Sequence, residues 1–502
     1  MWASRDPGRK CWLRSCVALA AGGVLYGCAV GPNFERPSSP AVTHYTYGED
    51  ATRTAFAHGT AQRFSPGAEV AADWWRIFRS QKLDVMIGTA LARNPGLEAA
   101  QASLRQSEDS LRSGYGIFYP QIAADASASR QRFAPESLGE SAAPFVFNLF
   151  TLSASVHYAF DIFGGERRMI EALGAQVDLQ RATVRATYLT LVSNIVNTVI
   201  ARAAYRSEVE ATRELIGLES EQVALAEVQA RAGTVPYSNV LSLKSQLAAT
   251  EATVPQLEQK LAQSDDLLAT LVGYAPAEWQ TPDISLTDLA LPGDLPVSLP
   301  SDLVRQRPDI LVAEATAHSA SANIGVATAA LLPSVTLSGG YSANGLTSGT
   351  MFAPHGREWS LGAGIGQPLF EGGTLWFKRK AAIDSYHQAA ALYRQTVLGA
   401  FEQVADTLRA LDHDAAALRA QDEALEAAAQ ALHLIQVNYQ AGLATYLDVL
   451  NADGQYHLSI INELQAVALR YQDTVALYVA LGGGWWNVAP VAAPTGGPPP
   501  AG

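Results

Sequence analysis

The chain has 502 residues, 48% of them hydrophobic and 17% charged, with a formal net charge of −13. That acidity excludes a nucleic-acid-binding surface, which needs Lys and Arg gathered on one face. No apolar run beyond the extreme N-terminus reaches the ~18–20 residues of a membrane-spanning helix. The three cysteines, Cys11, Cys16 and Cys28, all precede residue 29, which excludes a disulfide scaffold.

In chain order, Arg5, Arg9, Lys10 and Arg14 lead into a short apolar stretch over residues 17–26, followed by Gly27 and Cys28. This pattern predicts a signal peptide over residues 1–27. Leu25-Tyr26-Gly27-Cys28 resembles a bacterial lipobox, which implies that Cys28 carries a covalent lipid as the first mature residue. An ordinary secretory signal with a coincidental cysteine is the alternative. Ala29 stands where an Asp would signal inner-membrane retention, so the outer membrane is expected. Residues 28–73 then form a lipid-anchored N-terminal segment.

The rest of the chain repeats itself. Asn94-Pro95-Gly96-Leu97, Tyr119-Pro120-Gln121-Ile122, Gly164-Gly165 and Ala232-Gly233 have counterparts in the same order. These are Arg307-Pro308-Asp309-Ile310, Leu332-Pro333-Ser334-Val335, Gly372-Gly373 and Ala441-Gly442. Order and spacing, ~210 residues, predict two internal structural repeats. The first covers residues 74–273 and the second 301–484, with a linker over 274–300 and a Pro/Gly-rich tail over 485–502.

No proline interrupts the chain between Pro144 and Pro236 or between Pro368 and Pro490. Residues 166–232 as one helix would extend ~100 Å, too long to fold back into an ordinary core. Val404, Leu411, Leu418, Leu425, Leu432 and Tyr439 mark one heptad stripe; Val240, Leu247, Val254, Leu261 and Leu268 mark another. Such stripes predict coiled-coil helical hairpins. Pro255 is expected to kink its helix.

Between these helices lie alternating stretches. Phe150, Leu152, Ala154, Val156, Tyr158 and Phe160 interleave with Thr151, Ser153, Ser155, His157, Ala159 and Asp161. Trp359, Leu361, Ala363 and Ile365 interleave with Ser360, Gly362, Gly364 and Gly366. Partner strands are expected at 122–132 and 334–341. Period-two patterning suits a transmembrane barrel wall, apolar to lipid and polar to a lumen, although a half-buried soluble sheet alternates too. Four strands cannot close a barrel around a pore, and open edges are not tolerated in lipid, so several copies must share one barrel. The expected fold class is mainly α with a β-barrel contribution. Long hairpins build a periplasmic α-barrel, and four transmembrane strands per chain make a 12-stranded barrel in a trimer.

An ordered set of motifs carries a family resemblance: Gly31-Pro32-Asn33-Phe34-Glu35-Arg36-Pro37, Asp73-Trp74-Trp75, Asn94-Pro95, Leu271-Val272-Gly273-Tyr274, Arg307-Pro308-Asp309-Ile310 and Leu332-Pro333-Ser334. In these the chain resembles the TolC-type outer-membrane factors, in their NodT-like branch of efflux lipoproteins. The resemblance implies a homotrimeric, passive export conduit in the outer membrane, extending into the periplasm and touching outer-membrane lipid. A periplasmic adaptor and an inner-membrane pump, of RND type, would deliver its substrate. It further implies adaptor docking on two helix-hairpin turns, Ala232, Gly233 and Thr234 in one and Ala441, Gly442 and Leu443 in the other. A periplasmic gate is implied at Tyr439, Leu447, Asp448, Asn451 and Asp453. Where the family often has Leu-Asp-Ala-Gln, this chain has Leu450-Asn451-Ala452-Asp453, so whether Asp448 or Asp453 faces the bore stays open.

The nine histidines are scattered without a metal-ligand spacing, and no nucleophile elbow or P-loop appears. Neither a catalytic site nor a metal centre is expected, and no cofactor beyond the lipid on Cys28. Two other roles fit the pattern less well: the outer-membrane component of a type I protein secretion system, and a non-conducting coiled-coil envelope lipoprotein.

Overall fold

The computed structural model describes residues 29–38, 40–48, 52–135 and 143–487. The expected signal peptide, the lipidation residue Cys28 and the chain past Asn487 lie outside the described residues. The chain divides into two compact units, each drawing on both halves of the sequence. One gathers the residues up to Pro37 with Leu104–Gln180 and Ala313–Tyr393. The other comprises Ser38–Ser103, Arg181–Val312 and the chain from Arg394.

In chain order the elements are β1 (Arg63–Pro66), α1 (Gln81–Arg93), α2 (Pro95–Gly114), β2 (Gln121–Phe133), β3 (Phe145–Phe160), α3 (Gly165–Arg231), α4 (Tyr237–Glu251), α5 (Thr253–Val272) and β4 (Asp294–Val297). Then come α6 (Pro300–Gln306), α7 (Pro308–Ala329), β5 (Ser334–Gly345), β6 (Arg357–Gly366), α8 (Thr374–Gln440) and α9 (Tyr446–Ala480). Helices α3 and α8 are each 67 residues long, ~100 Å at 1.5 Å per residue. No described helix is long and apolar enough to cross a membrane.

The first unit holds a four-stranded antiparallel sheet in the order β2-β3-β5-β6. Residues opposite one another across an antiparallel pair share a face, so the register sorts the side chains. Ile122 faces Val156; Leu152 faces Ala343 and Ala126; Leu337 faces Tyr158 and Ala363; Tyr341 faces Trp359. One face is therefore mainly apolar across all four strands, with Arg130, Arg132, Asn148 and Arg357 on it only near the β2–β3 and β5–β6 loops. The other carries Asp125, Ser153, His157, Ser338, Ser342, Ser360 and Gly362. The alternation read in each strand separately becomes one continuous two-sided wall. Strand β3 begins at Phe145, ahead of the alternating stretch, because Phe145-Val146-Phe147 is uniformly apolar and carries no period-two signal.

The N-terminal segment docks within this same unit. Buried Arg168 donates to Val30 O (3.1 Å), Asn33 Oδ1 (2.7 Å) and Glu171 (2.6 Å). Phe34 stacks on His318 at 4.4 Å, and Arg36 pairs with Glu314 at 2.7 Å. A Cβ on Gly31 would lie 2.5 Å from the Gly325 Cα, so two glycine backbones are needed where the segment crosses α7. The motif running from Gly31 to Pro37 is thus a strap with a built seat.

The second unit is helical. Val240 and Leu268 are buried, and Leu247, Val254 and Leu261 between them half-buried, as the heptad stripe requires. Pro255 cannot donate to the helix ladder, and the helix is interrupted at Ala252, which separates α4 from α5. Trp74 is fully buried and stacked on Tyr478 at 5.5 Å, while Trp75 donates to Asp84 at 3.0 Å. A pairing that the sequence does not signal joins β1 to β4 in parallel, bringing 294–297 beside 63–66. Residues 485–487 form a 3-10 turn whose Trp485 donates to Gln306 O at 2.8 Å.

Two sequence motifs explain helix junctions here. Asn94 caps α2: its Oδ1 accepts from Leu97 N (3.0 Å) while its Nδ2 donates to Leu271 O (2.9 Å). Arg307, buried at the start of α7, donates to Asp309 (2.9 Å), to Ala480 O (3.0 Å) and to Gln403. One guanidinium fork thereby ties α7 to α8 and α9.

Candidate functional site

The two hairpin turns have the same hydrogen-bond pattern. At the end of α3, Gly233 N donates to Ala230 O and Thr234 N to Gln229 O, at 3.0 and 2.9 Å. At the end of α8, Gly442 N donates to Tyr439 O and Leu443 N to Asn438 O, at 2.9 and 2.8 Å. Both are Schellman caps, with the glycine in the left-handed region at φ 75° and 73°. Ala232, Gly233, Thr234, Ala441, Gly442 and Leu443 are all exposed, and a Cβ on either glycine would meet no atom within 4 Å. The glycines are therefore required by backbone conformation and not by crowding inside the chain. The caps satisfy the last helix carbonyls locally and leave Ala232, Gly233 and Thr234 in one turn, and Ala441, Gly442 and the 80%-exposed Leu443 in the other, at the surface.

Beyond the second turn, Thr445 and Asp448 form a capping box at the start of α9. Thr445 Oγ1 accepts from Asp448 N (3.2 Å), and the Asp448 carboxylate accepts from Thr445 N (2.8 Å) and Thr445 Oγ1 (2.7 Å). These bonds, the Thr445 side chain first, hold the Asp448 carboxyl below its ordinary pKa. Asn451 lies near Asp448 on the helix and lines with it a groove against Ala428, Ala431 and Ile435 of α8. Asp453 is five residues from Asp448, ~140° around a helix of 3.6 residues per turn. It is half-buried, 3.8 Å from His457, and burial raises its pKa although His457 opposes this. Tyr439 is exposed with its ring 5.7 Å from Tyr446, and Leu447 is half-buried. The structure thus brings Asp448 and Asn451 together and sets Asp453 on another side.

Sequence reasoning missed a cavity of about 590 Å³ between α3, α4–α5 and α9, at the level of the Ala252 interruption. Glu208, Glu219, Gln246, Lys260 and Gln465 give it polar walls. Burial raises the pKa of Glu208, and Gln246 donates to Glu219 at 2.9 Å. Polar residues inside a heptad pattern were its only sequence signal.

The outer membrane efflux protein family matches the chain over residues 86–274 and 299–483. The chain belongs to that family. Among its relatives, the pyoverdine export outer membrane protein OpmQ of Pseudomonas aeruginosa is 31% identical over 421 residues, 82% of this chain and 87% of OpmQ. The probable outer membrane lipoprotein SilC of Salmonella typhimurium is 26% identical over 468 residues, 92% of this chain and 97% of SilC. The solved outer-membrane channel OprN superposes with a TM-score of 0.79 at 26% identity, covering 91% of this chain and all of OprN. As an outer membrane efflux protein, the chain is an outer-membrane channel component of an export system. The TolC-like resemblance carried by its sequence motifs is the family relationship itself.

Proposed function

We propose that three copies of the chain pool their strands into one 12-stranded barrel, and that the assembly is the passive conduit of a tripartite efflux system. The exposed apolar face of the sheet carries this reading. In the single chain Trp359 and Ile365 are 78% and 77% exposed, and β2 and β6 each have an edge with no partner strand among the described residues. In lipid such an edge must be paired. Two copies would give eight strands, whose interior side chains fill; three are the fewest that leave an aqueous bore. From Phe150 to Phe160 the apolar face runs ~34 Å along the strand. At a ~40° tilt this projects to ~26 Å, the height of the apolar band of outer-membrane barrels.

The long helices of the two repeats then form the periplasmic tube, with Cys28 acylated and anchored in the outer membrane. Ala232, Gly233, Thr234, Ala441, Gly442 and Leu443 receive the periplasmic adaptor, whose partner is an inner-membrane pump of RND type. Asp448 and Asn451 line the gate, because both are exposed on the chain whereas Asp453 is half-buried, 3.8 Å from His457. Three Asp448 carboxylates in a ring favour cations.

Native mass spectrometry in mild detergent and planar-bilayer recording test this reading. A trimer with discrete conductance steps is expected. A monomer that leaves the bilayer silent would overturn it.

A further inference from the structure

Residues 52–64 of the N-terminal segment fold into a small hairpin, with Phe64 N bonded to Thr52 O and Thr54 N to Gln62 O at 3.0 and 2.8 Å. Its tip is the two-residue turn His58-Gly59, closed by reciprocal bonds between Ala57 and Thr60. Both tip residues have positive φ, 50° and 75°. That is the geometry of a type I′ turn, which needs a left-handed backbone at both positions; histidine, like Asn and Asp, adopts it more readily than most residues with a side chain. The turn is held from below: Arg470 of α9, only 1% exposed, donates to Ala57 O (2.9 Å), Thr60 O (3.0 Å) and Gln62 Oε1 (3.2 Å).

The turn delivers the His58 ring to two carboxylates from different helices. His58 Nδ1 lies 2.9 Å from Glu463 Oε1 of α9 and 3.8 Å from Asp422 Oδ1 of α8. The His58 backbone N–H donates to the other Asp422 oxygen at 2.6 Å and so aims Oδ1 at the ring. Glu463 is buried and the His58 side chain is 60% exposed. Two carboxylates from different helices, one of them buried, thus converge on one imidazole nitrogen. The nearest fixed cation, Arg470, spends its observed hydrogen bonds on the hairpin. The cluster thus gathers one nitrogen and two carboxylate oxygens around a common point.

We propose that His58, Asp422 and Glu463 are the protein ligands of a first-row divalent cation, with Zn²⁺ the best chemical match. The three donor atoms lie within 4.8 Å of one another. Zn–N and Zn–O bonds of ~2.0–2.2 Å hold tetrahedral ligands ~3.4 Å apart, and the observed 2.9 and 3.8 Å separations bracket that figure. One nitrogen and two carboxylate oxygens form a three-ligand set that leaves a position for water on the exposed side of His58. The ion bridges the hairpin, α8 and α9, so that binding pins the hairpin across both helices. Neither the trimer nor the export role is needed for the site to exist.

The test uses the full-length protein without an affinity tag, purified in detergent after treatment with a chelator. Zn²⁺ is titrated by calorimetry, Co²⁺ binding is followed by its visible absorption, and hydrogen exchange reports on residues 52–64. One ion per chain is expected, with exchange of the hairpin slowed at least tenfold on binding. Glu463→Gln and His58→Asn should each weaken Zn²⁺ at least tenfold and abolish the exchange effect. Asn tolerates the left-handed turn, so His58→Asn removes the ligand without unfolding the hairpin and remains decisive if Glu463→Gln misfolds. No stoichiometric binding, or binding by His58→Asn equal to that of the parent protein, would overturn the assignment.

Discussion

Docking of a partner on the hairpin turns can be separated from the strain of altering them. Replacing Gly233 or Gly442 confounds the two, because any side chain at φ 75° or 73° costs about 1–2 kcal/mol in backbone energy. Ala232 and Ala441 do not have this defect. Each donates its backbone N–H to the residue four positions earlier, Val228 or Val437, at 3.0 and 3.1 Å, and each is exposed. Leucine is nearly as good a helix former as alanine. The double variant Ala232→Leu with Ala441→Leu should therefore change chain stability by no more than about 0.5 kcal/mol.

Against a partner the same substitutions matter. Three added carbons at a close-packed contact cost about 1–3 kcal/mol, a ~5- to 150-fold loss of affinity at each turn. The assays are capture of the periplasmic adaptor by the purified channel, export by cells carrying the variant, and native mass and bilayer conductance as controls. Adaptor capture and export should fail while trimer mass and conductance are unchanged. If both survive the double substitution, the turns are plain helix reversals and the partner binds elsewhere.

Leu361→Arg places a charge on the apolar face of β6, worth about 2–4 kcal/mol at the bilayer midplane, and should sharply reduce heat-stable trimer in outer-membrane fractions; undiminished trimer would place that face toward the lumen. Asp448→Asn should lower cation preference in single-channel records and Asp453→Asn should not; the reverse result would exchange their assignments. The Asp473 carboxyl is pushed up to about 8 by burial and by its hydrogen bond and charge repulsion with Asp414, whereas an unfolded Asp titrates near ~3.9. The folded state thus holds a proton that the unfolded state lacks between those values, so this contribution is complete below ~4 and is lost as pH rises through ~8. Asp473→Asn should flatten the fall in melting temperature between pH 6 and 9, and parallel curves for variant and parent would refute the shared proton.

Periodic features were legible in the sequence because their physics is local. The seven-residue spacing of Val404, Leu411 and Leu418 ends in buried side chains, and the alternation of Trp359 to Ile365 ends in a flat strand with one apolar face. Pro255 announced an interruption through its missing donor, and Gly233 and Gly442 announced reversals through their φ. What stayed hidden depends on long-range pairing. The four-residue strands β1 and β4 lie far apart in sequence and carry no period of their own. His58, Asp422 and Glu463 belong to a hairpin and two helices, so no ligand spacing could mark them. The two carboxylates considered for the proposed gate, Asp448 and Asp453, are indistinguishable in the sequence because they lie close together in it. Only the capping box, which fixes Asp448 against Thr445, and the half-buried side facing His457 tell them apart.

Burial along the stripe of α8 also changes with position. Val404, Leu411 and Leu418 are buried within the chain, Leu425 and Leu432 are half-buried, and Tyr439 is exposed. On the same helix Leu398, Leu434 and Val437 are exposed, as Leu458 and Leu469 are on α9. A heptad pattern this persistent is not expected to face water over its final turns. Among the described residues nothing covers these side chains, just as nothing pairs the open edges of β2 and β6. Sheet and helices are incomplete in the same sense, and the proposed closed ring of copies would supply both deficits at once. An accessory protein sealing the sheet edges would leave the exposed leucines of α8 and α9 uncovered.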